Sequence, residues 1–496
     1  MILEKDSLAF LKEQKDFAFD INYSDPPYAL GSEIIIRPDG KYDYKKATDF
    51  MNKWEMPTGE YWESWFEESF RTLKHGGYCI MYGMDRQLPM FQYYAIKSGF
   101  QVRQSMYWYF ISSFPKATDL SKMIDKNANA EREVVGKQKY SMPKADNSMS
   151  ENSYGISGGK LANGTTAERI NADITTPTTN LAKKYDGYKY SIAPLKQTCE
   201  TIMIFQKPYK TGSCMHDVLA YENGDDTCGC FALNIDAGRV ATDGEKINIG
   251  FKGKILDDKN GWNNNNVERT PYDDTKGRFP SQTFCDSGTA ERLDEQSGVF
   301  KSSDKIRKNK NDGKNYTCYG NYKDVETMGY SDMGGCSKIL HKCDYENGEM
   351  DLYVYEPKVS KTERNAGCDN FDEKEMGKIQ SSFDGGKILT GSGNERNNIQ
   401  KNTHPTLKPI SLSYRILKLF KSPNDQKIIY PFAGVQSEVI GGYKAGFTDY
   451  VGCELSEEYV NIGNSRFEHW KNKPFDKKGK AIQNKKEEKP QQQKLF

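Results

Sequence analysis

Apolar periodicity alternates between strand and helix over residues 1–111 and again over 401–470, and the roughly 290 residues between them carry little of it. In the first stretch a short helix, Leu8 to Glu13, precedes the strand Ala18 to Tyr23. A helix from Gly59 to Lys74 carries Tyr61, Trp62, Trp65, Phe66 and Phe70 at helical spacing, and His75-Gly76-Gly77 is placed to end it. Tyr78 to Tyr82 reads as a buried strand, Leu88 to Lys97 as a helix and Gln101 to Phe110 as a third strand. That order implies a mainly parallel sheet with helical cover.

The middle is different. Residues 112–190 are rich in Asn, Ser, Gly and Thr and read as a loop-rich insertion. Residues 191–207 contain one apolar strand, Thr201 to Phe205, expected to lie antiparallel beside Ser105 to Phe110. Residues 208–400 show no clear element beyond Leu352 to Tyr355. Order returns with a helix at Ile410 to Phe420, a strand at Gln426 to Tyr430, a helix at Ser437 to Ala445, a strand at Tyr450 to Leu455 and an amphipathic helix at Glu457 to Trp470. Residues 471–496, with nine Lys against three acids, read as a disordered basic tail.

Composition removes several classes of function. No stretch approaches ~18 apolar residues, so no membrane span is expected, and the first 17 residues lack the apolar core of a signal peptide. A cytoplasmic chain with reduced thiols follows for its eleven cysteines. Cys214-x-His216 with Cys228-x-Cys230, and Cys336 with His341 and Cys343, lack the usual two-residue ligand spacing, so no metal is expected. The 70 basic and 69 acidic residues leave a net charge of +1, so any nucleic-acid affinity must come from local patches.

Two constellations carry chemistry. Asp25-Pro26-Pro27-Tyr28 follows a strand directly. Its prolines fix a rigid turn where an open α/β sheet presents its ligand site. A carboxylate and a backbone carbonyl there accept from an exocyclic amino group, and the Tyr ring can stack on a planar base. The second is Tyr430-Pro431-Phe432-Ala433-Gly434, between a strand and a helix, with Glu454 ending the next strand. A Gly turn, a helix N-terminus and a following acid form a nucleoside-binding layout without a Gly-x-Gly-x-x-Gly.

Asp25-Pro-Pro-Tyr28, His404-Pro-Thr-Leu-Lys-Pro409 and Pro431-Phe-Ala-Gly434 together resemble the motifs of the S-adenosylmethionine-dependent amino DNA methyltransferases, in the β-class order. Ser113–Asp125, Ala130–Gly136, Leu233–Arg239, Gly277–Pro280, Leu293–Gly298 and Ser360–Asn365 resemble blocks of phage and mobile-element members. The resemblance implies an α/β, Rossmann-like methyltransferase sheet assembled from both ends of the chain, with a large inserted target-recognition region. On that reading 1–111 is the catalytic half, 112–190 an insertion, 191–207 a returning strand, 208–400 the recognition region and 401–470 the cofactor-binding half. Asp25 and the Pro26 carbonyl hold the target amino group, with Pro27 shaping the turn and Tyr28 stacking on a flipped-out base. Asp6 with Ser7 contacts the cofactor's adenine and Glu454 its ribose. Pro431, Phe432, Ala433 and Gly434 wrap its methionine end, with Lys408 and Pro409 near it.

The implied partner is double-stranded DNA, with adenine N6 preferred because Asp precedes Pro-Pro-Tyr; cytosine N4 is the alternative. Tyr316, Tyr319 and Tyr322 are candidate aromatics of the recognition region. The chain departs from the family at Tyr430, where an Asp is usual, and at Val435-Gln436-Ser437, which replaces Gly-Ser-Gly. Gln436 and Glu438 are the candidates to replace the lost carboxylate, and a catalytically inactive DNA-binding homologue is the further alternative. Gln492-Gln-Lys-Leu-Phe496 resembles the bacterial sliding-clamp-binding pentapeptide.

Overall fold

The aromatic stripe of the second helix needs a buried wall, and it finds one on the sheet. The computed structural model describes residues 1–28, 33–44, 57–110, 116–143, 169–240, 251–255, 279–285, 287–301, 307–309, 322–327, 333–342, 361–375, 382–384, 387–389 and 399–473. The sequence readings at Ser113, Gly277 to Arg278, Tyr316, Tyr319, Cys343, Leu352 to Tyr355, Ser360 and the tail with Gln492 to Phe496 lie outside those residues. Among the described residues no helix is long and apolar enough to cross a membrane.

The central sheet contains β1 (Ile2–Glu4), β2 (Phe19–Ser24), β3 (Leu73–Gly83), β4 (Met106–Tyr109), β5 (Cys199–Gln206), β6 (Thr283–Cys285), β7 (His341–Lys342), β8 (Lys427–Tyr430) and β9 (Asp449–Glu454). Their order is β1-β9-β8-β2-β3-β5-β4-β6-β7, and the short strand Gln101–Val102 pairs with β5 off this path. β1, β9, β8, β2 and β3 run parallel to one another, with Ile21 opposite Ile428 and Tyr23 opposite Ile80. β5 runs antiparallel to both β3 and β4, setting Thr201 opposite Gly83 and Tyr107. Strands from the two ends of the chain thus interleave in one Rossmann-like sheet.

Successive side chains alternate between the two faces. Ile21, Tyr23, Ile80, Tyr82, Ile202 and Ile204 face α7 (Ile410–Phe420) and α8 (Ser437–Ala445). Cys79, Met81, Met203 and Phe205 face α2 (Gly59–Thr72) and α3 (Leu88–Lys97), as does Phe19, which a register shift before Ile21 turns to that side. A fully buried side chain of this size contributes about 1.5–3 kcal/mol, and Trp62, Trp65 and Phe66 of α2 are all fully buried.

Three features differ from the sequence reading. Helix α2 ends at Thr72 and not at the glycines. Its C-terminal carbonyls are held by the buried ammonium of Lys207, which donates to Phe70 O at 2.7 Å and Leu73 O at 2.8 Å. Gly76 lies inside β3 at φ +81, where a Cβ would meet Phe231 and Tyr209 at 2.8 Å. The second difference is in the 112–190 insertion, which has a folded part. Lys116–Asp119 pairs antiparallel with Lys189–Ala193, and Val134–Pro143 with Arg169–Thr175. Helix α4 (Leu120–Asn127) packs on α5 (Asn180–Lys184) around the buried carboxylate of Asp125. That carboxylate accepts from Arg132 Nη1 at 2.6 Å, from the backbone N–H of Thr178 and Thr179 at 3.0 Å, and from Thr179 Oγ1 at 2.7 Å. These donors hold it down to a pKa of about 2. The 208–400 region is likewise not separate from the core. It supplies β6 and β7 to the sheet, and α6 (Lys361–Asn365) packs under residues 402–410. Glu363 there accepts from Ile410 N at 3.0 Å, and Arg364 donates to His404 O.

Candidate active site

The strand order reverses between β8 and β2. From β2 the chain crosses to β3 on one side, and from β8 to β9 on the other. In open α/β sheets ligands bind at such a point, outside the carboxyl ends of the strands. Asp25 follows the end of β2, Pro431 follows β8 and Glu454 ends β9, so both sequence constellations meet at one edge.

The half of this edge that carries Asp25 is built around one cation. Lys408, 4% exposed, donates to both oxygens of Asp25 at 2.8 and 2.7 Å and lies 3.4 Å from the carboxylate of Glu200. The Tyr28 hydroxyl donates to Asp25 Oδ1 at 3.2 Å and to Glu200 Oε2 at 3.4 Å. Burial and Asp25 push that phenol well above its ordinary pKa, so it stays a donor. Nζ of Lys408 sits over the Tyr28 ring at 5.1 Å and over the Tyr82 ring at 4.8 Å, a cation–π contact that commits one face of Tyr28. Gln87 braces the turn, donating to the Pro27 carbonyl at 3.3 Å and the Tyr44 hydroxyl at 3.0 Å. Two of the four lone pairs on Asp25 serve Lys408 and one serves Tyr28, so one on Oδ2 stays available, together with the Pro26 carbonyl.

The other half is a backbone turn. Ala433 N donates to Cys453 O at 2.8 Å and Gly434 N to Glu454 Oε2 at 3.0 Å. Ser456 N donates to the other Glu454 oxygen at 3.0 Å. Burial raises the pKa of Glu454 while these N–H donors oppose the shift. Gly434 has φ +48, and a Cβ there would lie 3.0 Å from His404 Nε2. Phe432, half-buried, stacks on Trp65 with ring centroids 5.8 Å apart. Asp6 caps α1 (Ser7–Lys12) by accepting from Ala9 N at 2.9 Å, and its second oxygen accepts from the Tyr61 hydroxyl at 2.9 Å. Ser7 accepts from Trp65 Nε1 at 3.2 Å. Pro409 is the N-cap residue of α7.

The departures from the family pattern have structural partners. Tyr430 is buried edge-on to Tyr23, with its hydroxyl against Gly442, where a Cβ would come within 1.8 Å; it points into the core. Gln436 takes φ +67 and its amide nitrogen donates to Asn464 Oδ1 at 2.8 Å, so it contributes to the packing of α9 (Glu457–Lys471). Left-handed backbone at a residue with a Cβ costs about 1–2 kcal/mol. Arg466 of α9, fully buried, offsets this by donating to Val435 O and to Ser437 Oγ at 3.2 Å. Glu438 is buried, and burial together with Asp25 pushes its carboxyl up to about 8, with Lys408 opposing. Of the two candidates it is the one that faces the catalytic cluster.

Among the predicted site residues, Asp25, Tyr28 and Lys408 are therefore joined directly, and Gly434 is joined to Glu454. Lys408 sits on Asp25 and not on the Gly434 turn. Glu200, Gln87 and Arg466 are not among the residues that the motifs single out. Glu200 carries a signal nonetheless, since it is the only charge in the apolar run from Cys199 to Phe205.

The family model of the N6/N4 DNA methylases matches residues 19–465. The chain belongs to that DNA methylase family. No curated protein matches it. Among solved structures it is similar to M1.HpyAVI in complex with SAM, at 8% identity over 94% of this chain and 98% of that one, with a TM-score of 0.32. It is similar to TTHA0409 of Thermus thermophilus in complex with S-adenosyl-L-methionine, at 9% identity over 94% of both chains, TM-score 0.30. It is also similar to the cytosine-N4-specific PvuII DNA methyltransferase, at 10% identity over 94% of this chain and 85% of that one, TM-score 0.36.

Proposed function

We propose that this chain methylates the exocyclic amino group of a base flipped out of double-stranded DNA, with adenine N6 as the target and S-adenosylmethionine as the donor. The observation that carries the reading is the Asp25–Lys408–Tyr28 cluster one strand away from the Gly434–Glu454 turn. When bound, S-adenosylmethionine supplies an electrophilic methyl group on a sulfonium. The residues present fit such a donor. Glu454, which already serves the backbone N–H groups of Gly434, Leu455 and Ser456, keeps acceptor capacity for a ribose hydroxyl. Leu455 beside it is 63% exposed and offers an apolar face.

Asp25 Oδ2 and the Pro26 carbonyl accept the two N–H bonds of the target amino group and orient its nitrogen lone pair. Lys408 fixes the carboxylate without consuming that acceptor, and Tyr28 offers its other face to the base. The methylated amine must lose a proton, and Asp25 is the carboxylate that already holds its N–H. The protein's work is thus mainly positioning, which is worth several powers of ten when reacting atoms are aligned.

The order of Asp25–Tyr28 before Gly434 supports a β-class arrangement, and the sequence blocks support a phage or mobile-element type. Target reading is assigned to the 208–400 region. Incubation with methyl-labelled donor and unmodified DNA, followed by nucleoside analysis, is expected to yield N6-methyladenine. N4-methylcytosine would replace the adenine reading, and no transfer by the wild type would overturn the enzyme reading. Gln492 to Phe496 is assigned to sliding-clamp docking; deleting those five residues is expected to abolish clamp pull-down with turnover on short DNA unchanged, and retained pull-down would refute the assignment.

A further inference from the structure

The folded part of the insertion has no role in the site described so far, yet it is rooted beside it. β5 begins at Cys199, opposite Tyr109, and Thr201 pairs with Gly83, so its first residues lie at the carboxyl edge of the sheet. Glu200, the second residue of β5, touches Lys408 and Tyr28. Phe110 N donates to Thr198 O at 3.0 Å and closes the root of the insertion at that edge. Ala193, the last residue of the paired ribbon, is six residues before Cys199, and six residues reach at most ~20 Å. A duplex carries one phosphate charge per ~1.7 Å of axis, so ~20 Å of flanking DNA presents about twelve phosphates within that radius.

The charge of this unit contrasts with the chain as a whole. Over the described residues 116–143 and 169–196 there are eleven Lys and Arg against six Asp and Glu, while the whole chain is balanced at +1. Two of those acids are turned to internal work. Asp119 caps α4 by accepting from Lys122 N at 3.1 Å, and Asp125 is buried against Arg132. Lys122, Lys126, Lys183 and Lys184 are exposed on the packed pair α4 and α5. Tyr188 and Tyr190, next in the chain, are 60% and 45% exposed. An exposed cationic surface with exposed aromatics on a folded unit is complementary to a nucleic-acid backbone.

We propose that the α4–α5 unit is a second DNA-contacting element, separate from the 208–400 region, which grips the phosphates of the duplex flanking the flipped base through Lys122, Lys126, Lys183 and Lys184. The inference rests on the reading that the substrate is duplex DNA. It supplies affinity and register without reading bases, as phosphate contacts do.

The test compares the full-length wild type with K122Q/K126Q/K183Q/K184Q and with the matching four-arginine variant. Fluorescence anisotropy measures binding to a 40-base-pair duplex of arbitrary sequence from 50 to 250 mM NaCl. Each lost phosphate contact lowers the slope of log affinity against log salt by ~0.9. The glutamine variant is therefore expected to lose a slope of about 2–4 and at least tenfold in affinity near 150 mM salt. Its S-adenosylmethionine binding should match the wild type, and the arginine variant should bind DNA as the wild type does. A wild-type slope in the glutamine variant, or an arginine variant as weak as the glutamine one, overturns the proposal. Failure of the wild type to bind the duplex at all overturns the DNA-substrate reading itself, so the two failures are distinct.

Discussion

Replacing Asp25 by Ala is expected to lower methyl transfer by about 10³-fold or more while binding of S-adenosylmethionine stays at the wild-type level. On the proposed reading this carboxylate is the side chain that accepts from the incoming amino group, and a single preorganised electrostatic contact of that kind is worth 10²–10³ in turnover. Loss of proton acceptance from the product adds to it. The variant should fold, because Lys408 retains Glu200 as a partner 3.4 Å away. Asp25→Asn keeps one acceptor oxygen but loses the charge that Lys408 holds, and should fall between the two. The contrasting change is Glu454→Ala, which removes the closing contact to Gly434 N and should weaken S-adenosylmethionine binding measured by calorimetry. An Asp25→Ala enzyme with full turnover would remove the assignment of the catalytic carboxylate. One that loses cofactor affinity as severely as Glu454→Ala would move Asp25 to the other half of the site.

The parts of this site legible in the sequence are those encoded locally. A strand followed by Asp25-Pro26-Pro27-Tyr28 fixes its own geometry, because prolines restrict the backbone before any tertiary contact forms. The Gly434 turn and the acid that ends β9 are likewise a short-range pattern. What the sequence hides is long-range. Lys408 is next to Pro409 in sequence and so suggests the cofactor half, but its contact is with a residue 383 positions away. Glu200 reaches the site only because β5 returns antiparallel between β3 and β4. The α4–α5 unit is hidden for a related reason. Its helices are short, eight and five residues, below the length at which helices hold alone. A buried Asp125 with four donors supplies the stability that no periodicity displays. The end of α2 differs from its local signal because Lys207, far along the chain, replaces the glycine cap.

Lys408→Met is expected to unfold or inactivate the protein, with a pH dependence opposite to ordinary acid denaturation. Lys408 is the cation shared by Asp25 and Glu200, with Glu438 close enough to be shifted by both Lys408 and Asp25. Removing one partner of a buried ion pair costs about 3–5 kcal/mol because the remaining charge stays buried. Without their cation the three carboxyl groups repel one another, and Glu438, already raised by burial and by Asp25, loses the Lys408 charge that opposes its shift. A group raised in this way stabilises the fold fully below its unfolded pKa and loses that contribution as pH rises through the folded one. Glu438 already stands at about 8 in the wild type, so the window of loss runs from the ordinary carboxyl range up to about 8, and removing the opposing Lys408 extends it upward. Thermal denaturation should therefore show Lys408→Met close to the wild type near pH 5 and far less stable at pH 8. Adding Glu200→Gln removes one of the stranded charges and should return part of the lost stability at pH 8 without restoring turnover, since Asp25 would still lack its clamp. Equal melting temperatures for Lys408→Met and wild type at pH 8, or no recovery on adding Glu200→Gln, would mean that the shared cation does not hold this cluster together.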